Sequence, residues 1–295
     1  MCISGLYIFS IATKSIHITE NDVFRAYQPL IFYCSVAAIY WADPRLEVFY
    51  MKRILIILAV LLLAAGFAAF AVAGNGNADN DKGPLEKITF IHYKKGFAKP
   101  PWAGGGGGST DASSCYGFLS KGAKWKTTEP YLINPTNTGG ISESDFVSAV
   151  SLSDAQWDDQ VAFDIFGAGS ADYTASYNNG NLDGNNTLSF GSIDSAGAIA
   201  VTNVWGYFSG PPQTRELVEW DMLLDETDFA WGIGAADKMD LQNIVTHELG
   251  HSAGMGDLYE SKCNQQTMFG YSTEGETSKR DLADGDITGI TKLYS

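Results

Sequence analysis

The sequence predicts an α+β domain in which helices back one mixed, twisted sheet. Short runs rich in β-branched and aromatic residues, bounded by glycine, proline and asparagine, recur between residues 131 and 224. A long helical segment at 237–251 follows them, and an amphipathic segment closes the chain. An apolar content of 45%, with 13% aromatic residues, is sufficient for a packed core.

Four segments beyond residue 115 are predicted strands, because apolar residues dominate them and turn-forming residues bound them. They are 131–134, which Pro135 ends, 187–190, 197–205 and 217–224. The stretch 178–186 is rich in asparagine, aspartate and glycine and is predicted to be a loop. Its oxygen atoms could hold Ca²⁺, or the loop could serve only as a turn.

Three segments have helical periodicity. The first is 142–161, with Ser142 as its N-cap. The second, 237–251, has no helix breaker between residues 242 and 249. Apolar residues at helical spacing mark the third, at the end of the chain. The residues expected to face the core are Phe146, Val150, Trp157, Met239, Ile244, Val245, Leu282, Ile287, Ile290 and Leu293.

Residues 51–73 have the features of a secretory signal peptide. Met51-Lys52-Arg53 is basic, residues 54–73 carry no charge, and the segment ends in Ala71-Val72-Ala73. Left uncleaved, the segment would be a membrane anchor, because about 20 apolar residues span a bilayer. We expect a protein that is secreted or held at the outer face of the cell membrane. Residues 1–50 are interpreted as an extension that comes from a mis-chosen start codon.

Residues 74–114 are predicted to be a Gly/Pro-rich tether or a pro-segment. The glycine run 104–108 is typical of a linker that buries no core. Within this segment, 88–93 is a predicted short strand that either docks on the following domain or belongs to the pro-segment. Apolar patterning is continuous from residue 115, so the globular domain is predicted to span 115–295.

The chain has a formal charge of −15 and no basic patch, which argues against nucleic-acid binding. We expect a monomer that contacts a membrane only through its N-terminal segment. The globular domain contains two cysteines, Cys115 and Cys263. In an exported domain such a pair most simply forms one disulfide.

The most informative motif is H-E-x-x-H within the second helix. His247 and His251 are four residues apart and therefore lie on one helical face, where both imidazoles can bind a single Zn²⁺. Glu248 is placed to act as a base toward water at the metal. The alternative is an ordinary exposed helix that happens to carry two histidines.

The histidine count restricts the third ligand. The chain has four histidines, and only His247 and His251 lie within 115–295. A third protein ligand is then a carboxylate or a thiolate, unless His92 reaches the site. Gly254 allows the chain to turn after the helix, so that Asp257 can return to the metal. Otherwise Asp257 is a surface turn residue.

The run His247-Glu248-Leu249-Gly250-His251-Ser252-Ala253-Gly254-Met255-Gly256-Asp257 resembles the elongated zinc motif of the metzincin proteases. Most metzincins have histidine as the third ligand, and a minority have aspartate. Residues 266–271 resemble the Met-turn, and 277–294 is similar to the final helix of the matrixin branch. Residues 183–191 and 197–202 resemble the sheet strands of that branch.

This resemblance implies a zincin-like fold and a zinc metalloendopeptidase over 115–295, acting on proteins or peptides. It assigns zinc to His247, His251 and Asp257, with Glu248 as general base and Met268 beneath the metal. The edge strand 198–202, including Ala198 and Ala200, would pair with an extended substrate. Tyr271 would line the pocket after the cleaved bond or belong to the core.

The sequence departs from the matrixin pattern at three points, the first being that no histidines remain for a second, structural zinc. Gly270 stands where proline is typical, and the P-R-C-G latency motif is absent. Cys115 could cap the zinc as a thiolate, although a disulfide with Cys263 accounts for both cysteines. Two other functions stay open: a zincin that acts on a non-protein substrate, and a surface-tethered binding protein with a weak metal site.

Overall fold

A computed structural model describes residues 82–97, 115–178 and 181–295. Its central element is a mixed sheet of seven strands. The predictions for residues 1–50, for residues 51–73 and for the glycine run lie outside these ranges. Among the helices within them, none has the length and apolar character needed to cross a membrane.

The strands of the sheet follow the order β3-β2-β4-β6-β5-β1-β9. β3, β2, β4 and β6 are mutually parallel, whereas β5 runs antiparallel to both of its neighbours, β6 and β1, and β1 is parallel to β9. The predicted mixed sheet and α+β class are therefore confirmed. The seven strands are β1 (Leu85–Lys94), β2 (Glu129–Ile133), β3 (Phe166–Ala171), β4 (Asn186–Gly191), β5 (Ala198–Tyr207), β6 (Glu216–Asp225) and β9 (Tyr271–Ser272).

Three α-helices complete the described fold: α1 (Glu143–Asp158), α2 (Leu241–Ser252) and α3 (Asp284–Tyr294). The predicted N-cap of α1 is confirmed, because Ser142 Oγ accepts a hydrogen bond from the Asp145 backbone N–H at 3.2 Å. The core side of α1 is confirmed too, since Phe146, Val150 and Trp157 are fully buried.

The helix that carries the motif begins later than predicted, at Leu241 rather than at residue 237. Asp240 caps it by accepting from the Asn243 N–H at 2.9 Å. Just before the cap, β8 (Met239–Asp240) pairs with β7 (Trp231–Gly232), which holds these residues extended. The helix then packs on α1, where Trp157 Nε1 donates to the Thr246 carbonyl at 2.9 Å.

The strand β3 was not predicted, because its sequence Phe-Gly-Ala-Gly-Ser-Ala contains no β-branched residue. Its small residues have a packing reason. A Cβ at Gly169 would overlap the ring of Tyr131, which lies on the neighbouring strand β2 and is 1% exposed. Close packing against a large aromatic ring thus replaces intrinsic strand preference here.

The first strand, β1, is longer than the predicted 88–93 and is part of the domain's own sheet. Its residues Leu85 to Tyr93 pair antiparallel with β5, and Tyr93 and Lys94 pair in parallel with β9. The edge of β5, which was expected to be available to a substrate, is therefore already paired within the described chain.

A disulfide joins Cys115 to Cys263 across 148 residues of sequence. This finding overturns the alternative in which Cys115 caps a metal as a free thiolate. The bond ties the first residues of the globular region to the segment that leads into Met268.

Replacing both cysteines with serine should lower the free energy of unfolding by about 2–5 kcal/mol, because the cross-link restricts a long loop of the unfolded chain. Denaturant unfolding of the variant measures the effect. The unmodified chain after reduction should match it, and a variant as stable as the oxidised parent would contradict the expectation.

Candidate active site

Helix α2 brings His247, Glu248 and His251 into the interior, where each is at most 1% exposed. Gly250 has no side chain, so other residues can pack directly against the backbone of this part of the helix. A Cβ there would overlap the sulfur of Met268 and would lie 2.6 Å from the Trp157 ring. The glycine thus lets the fully buried Met268 pack directly beneath the two histidines.

Both imidazoles are oriented by backbone carbonyls. His247 Nδ1 lies 2.7 Å from the Thr267 oxygen, and His251 Nδ1 lies 3.1 Å from the Met255 oxygen. A carbonyl only accepts, so each Nδ1 carries the hydrogen and each Nε2 presents a lone pair. A fixed tautomer of this kind is typical of metal-binding histidines.

A turn after α2 returns the chain to these rings. Gly254 has a φ of +104°, which favours glycine, and a Cβ there would lie 2.7 Å from the Ala123 oxygen. Beyond the turn, Asp257 Oδ1 lies 3.3 Å from His247 Nε2 and 3.4 Å from His251 Nε2. Its other oxygen accepts from the Tyr259 hydroxyl at 3.0 Å. The structure therefore brings all three sequence-predicted ligands together.

The chemistry of this donor set fits a zinc ion. The three ligand atoms lie within 4.8 Å of one another. In the described part of the chain, His247 Nε2 and Asp257 Oδ1 are buried without a hydrogen-bond partner, which is costly unless a metal satisfies them. Two imidazoles and one carboxylate also leave a fourth position open, as a catalytic zinc requires.

The protonation states support the same reading. Burial lowers the pKa of His247 to about 4, so its ring is neutral. For Asp257, burial alone would raise the pKa, but the neighbouring His251 and His247 lower it well below its usual range. The Asp257 carboxylate is therefore charged and His247 is neutral, which are the forms that bind a cation. Burial lowers the pKa of His251, but the nearby Asp257 and Glu248 raise it more, so a zinc ion would displace a proton from this ring.

Glu248 lies beside this group in a closed environment. Burial raises its pKa to about 7, which is suitable for a base that takes up and releases a proton near neutrality. Its Oε2 accepts from the Thr202 hydroxyl of β5 at 2.6 Å. Its Oε1 lies 3.2 Å from His92 Nδ1.

The strand β1 covers the site. The ring of Phe90 stacks on His251 with centroids 3.8 Å apart, and the ring of His92 meets His247 edge-on at 3.9 Å. His92 therefore does reach the site, where it forms a second group with His247 and Glu248. It remains apart from the group that contains Asp257.

The residues predicted to contact substrate all lie along β1. Ala200 pairs with His92 and Ala198 with Tyr93 across the β5 edge. Tyr271 pairs with Tyr93 from the other side, and its partly buried ring packs edge-on against Tyr259 at 5.5 Å. The three predicted residues thus border one slot, and β1 fills it.

The turn at Thr267 and Met268 is held by a carboxylate that sequence reasoning missed. Asp286 on α3 accepts from the Thr267 N–H at 2.7 Å and from the Met268 N–H at 3.2 Å. Three further contributors were missed as members of the site: Thr202, Tyr259 and Lys279. Thr202 and Lys279 lie in segments that were recognised only as a strand and as part of the closing segment, and Tyr259 lies just beyond the zinc motif.

The calcium prediction for residues 178–186 receives no support from the described residues. Within the described residues, the side-chain groups that could hold a metal ion are the two that contain His247, and neither of them includes a residue of this loop. Asp183 and Gly184 instead donate their backbone N–H groups to the buried Glu219 carboxylate.

Two comparisons with known proteins complete the description of the site. The family model described as Matrixin matches residues 125–295, which includes every strand from β2 onward and all three helices. A comparison with curated protein sequences gives no match.

Proposed function

The chain belongs to the matrixin family of zinc metalloproteases, and from this membership we propose that it is a secreted endopeptidase with one catalytic zinc. The observation that carries the proposal is the convergence of His247 Nε2, His251 Nε2 and Asp257 Oδ1 within 4.8 Å, beside the buried carboxylate of Glu248. The proposal is supported by the position of these residues, because His247, Glu248 and His251 lie on one helix and Asp257 lies in the turn that follows it.

Each residue has a distinct role in the proposed reaction. His247, His251 and Asp257 hold the ion, and Tyr259 fixes the second oxygen of Asp257. A zinc ion, when bound, lowers the pKa of its water to about 7 and polarises the peptide carbonyl.

Glu248 takes the proton of the attacking water and transfers it to the leaving amine. The Thr202 hydroxyl, 2.6 Å from Oε2, holds this carboxylate in place while the proton moves. Met268 packs against Gly250 of the helix that carries the two histidines, and Asp286 accepts a hydrogen bond from the Met268 N–H. This packing keeps the proposed ligands aligned.

The slot that β1 fills supports a peptide substrate rather than a compact one. An extended chain within it pairs antiparallel with β5 and parallel with β9, so main-chain hydrogen bonds form on both sides. A polymer without peptide N–H and carbonyl groups could not form this pairing. This consideration favours a protease over a zincin that acts on a non-protein substrate.

The test is a casein-cleavage assay with the purified chain. We expect hydrolysis that a zinc chelator abolishes and that added zinc restores, since the ligands all belong to this chain. Hydrolysis that persists in the chelator would contradict a zinc mechanism. A zinc-loaded chain that cleaves neither casein nor a mixed peptide library would favour the binding-protein alternative.

For a substrate to enter, β1 must leave the slot. We expect that cutting the chain at a protease site inserted in the glycine run 104–108 raises activity at least about tenfold, because a segment tethered in the same chain competes at an effective concentration on the order of 1 mM. Peptide hydrolysis before and after the cut measures this.

A synthetic peptide of residues 82–97 should inhibit the cut protein, whereas a scrambled peptide of the same composition should not. Equal activity before and after the cut, with no inhibition by the added peptide, would show that β1 does not compete with substrate.

A further inference from the structure

The side chain of His92 shows where a substrate side chain would be received. His92 pairs with Ala200 of β5, and pairing with β9 begins at the next residue, Tyr93. Phe90 packs on His251 and His92 packs on His247, so the backbone of residue 91 runs between these two contacts. A substrate in this register would present the peptide bond before residue 92 to the proposed zinc. The residue in place of His92 is therefore the one that follows the cleaved bond.

The hydroxyl of Ser272, at the inner end of the space that the His92 side chain fills, is a hydrogen-bond donor. His92 Nε2 lies 3.0 Å from Ser272 Oγ, and the same oxygen accepts from the Lys279 ammonium at 2.9 Å. An ammonium has no acceptor, so the serine hydrogen is directed to the occupant. An occupant that reaches this depth needs an acceptor atom there.

Behind the serine, Lys279 is a buried positive charge, only 2% exposed. Its other bonds go to the carbonyls of Phe269 and Tyr271, each at 2.6 Å. Among the described residues, no carboxylate lies within the 4.0 Å of an ion pair with it. The carboxylates of Glu276, Asp257, Glu248 and Asp286 act on this ammonium electrostatically from beyond that distance. Because its direct hydrogen-bond partners among the described residues are neutral, an anion that reaches it would be the first charged group to pair with it directly.

We propose that Lys279 and Ser272 make the protein selective for substrates with glutamate after the cleaved bond. The glutamate carboxylate oxygen and the imidazole Nε2 are both three bonds beyond Cβ, so glutamate reaches the depth that His92 reaches. Aspartate is one bond shorter and does not. This inference rests on the proposed peptidase function.

The experiment compares three peptides that differ only at this position, with glutamate, glutamine or leucine, using the zinc-loaded full chain. Because β1 competes equally with all three, ratios of kcat/KM isolate the pocket. Glutamate should exceed glutamine at least about tenfold and leucine about 100-fold, as expected for a charge-assisted hydrogen bond in a buried site.

Lys279→Met should bring the glutamate-to-glutamine ratio close to one, because methionine keeps the volume and removes the charge. Ser272→Ala, a smaller change, should lower the preference for glutamate over leucine even if the lysine variant folds poorly. Lys126→Met, at an exposed lysine, is the matched control and should keep the ratios of the parent.

Equal rates for glutamate and leucine in the parent, or an unchanged glutamate-to-glutamine ratio in Lys279→Met, would overturn the proposed selectivity and leave the peptidase function standing. If the parent cleaves none of the three peptides and no member of a mixed peptide library, both the selectivity and the peptidase function are overturned.

Discussion

Replacing Glu248 with glutamine should reduce peptide hydrolysis by about 100- to 10,000-fold while zinc stays bound. Glutamine has nearly the same shape and can keep the contact with Thr202, but it cannot take the proton of the attacking water. The carboxylate is fully buried beside the proposed ligands, so a base from the solvent cannot easily replace it. Burial also raises its pKa to about 7, which is suitable for proton transfer near neutral pH.

The measurement pairs steady-state hydrolysis with metal analysis of the same sample. Glu143→Gln, at an exposed glutamate in the first turn of α1, is a matched control and should remain fully active. A Glu248→Gln variant that holds zinc and turns over at the parent rate would refute the role of the base.

Replacing Asp257 with alanine should weaken zinc binding more than about 100-fold, because loss of a direct ligand exceeds the cost of losing a supporting contact. Its Oδ1 lies 3.3 and 3.4 Å from the two histidine nitrogens, and its side chain is only 7% exposed. Hydrolysis at limiting zinc should fall in parallel.

Competition with a chromophoric chelator measures this affinity. Asp257→His should recover part of it, since an imidazole nitrogen can replace the carboxylate at zinc. Asp237→Ala, at an exposed aspartate, should have no effect. Unchanged affinity in Asp257→Ala would move the third ligand elsewhere, and His92 would be the first residue to test because it already contacts Glu248 at 3.2 Å.

The residues proposed as ligands and base could be selected from sequence because they lie within eleven residues, on one helix and the turn after it. Helical spacing fixes the relation of His247 to His251, and Gly254 allows the return of Asp257. The mixed sheet was predictable from the strands with β-branched residues. The strand β3 was not, because its small residues are selected by packing against Tyr131.

The parts of the site that come from distant segments were beyond sequence reasoning. Thr202 and Lys279 reach the centre from β5 and from the turn before α3, and the likeness of their segments to matrixin elements gave neither side chain a role in the site. The strand at 88–93 was recognised, but its place was not. Local composition cannot show that a segment next to a glycine run pairs with both borders of a substrate slot.

A zinc titration of the metal-free protein tests the proposed catalytic centre most directly. Peptide hydrolysis should be absent without metal, rise in proportion to added zinc, and reach its plateau at one equivalent per chain. Glu248→Gln should bind the same single equivalent and stay inactive. Hydrolysis by the metal-free protein, or a plateau that does not depend on zinc, would contradict a catalytic zinc at His247, His251 and Asp257.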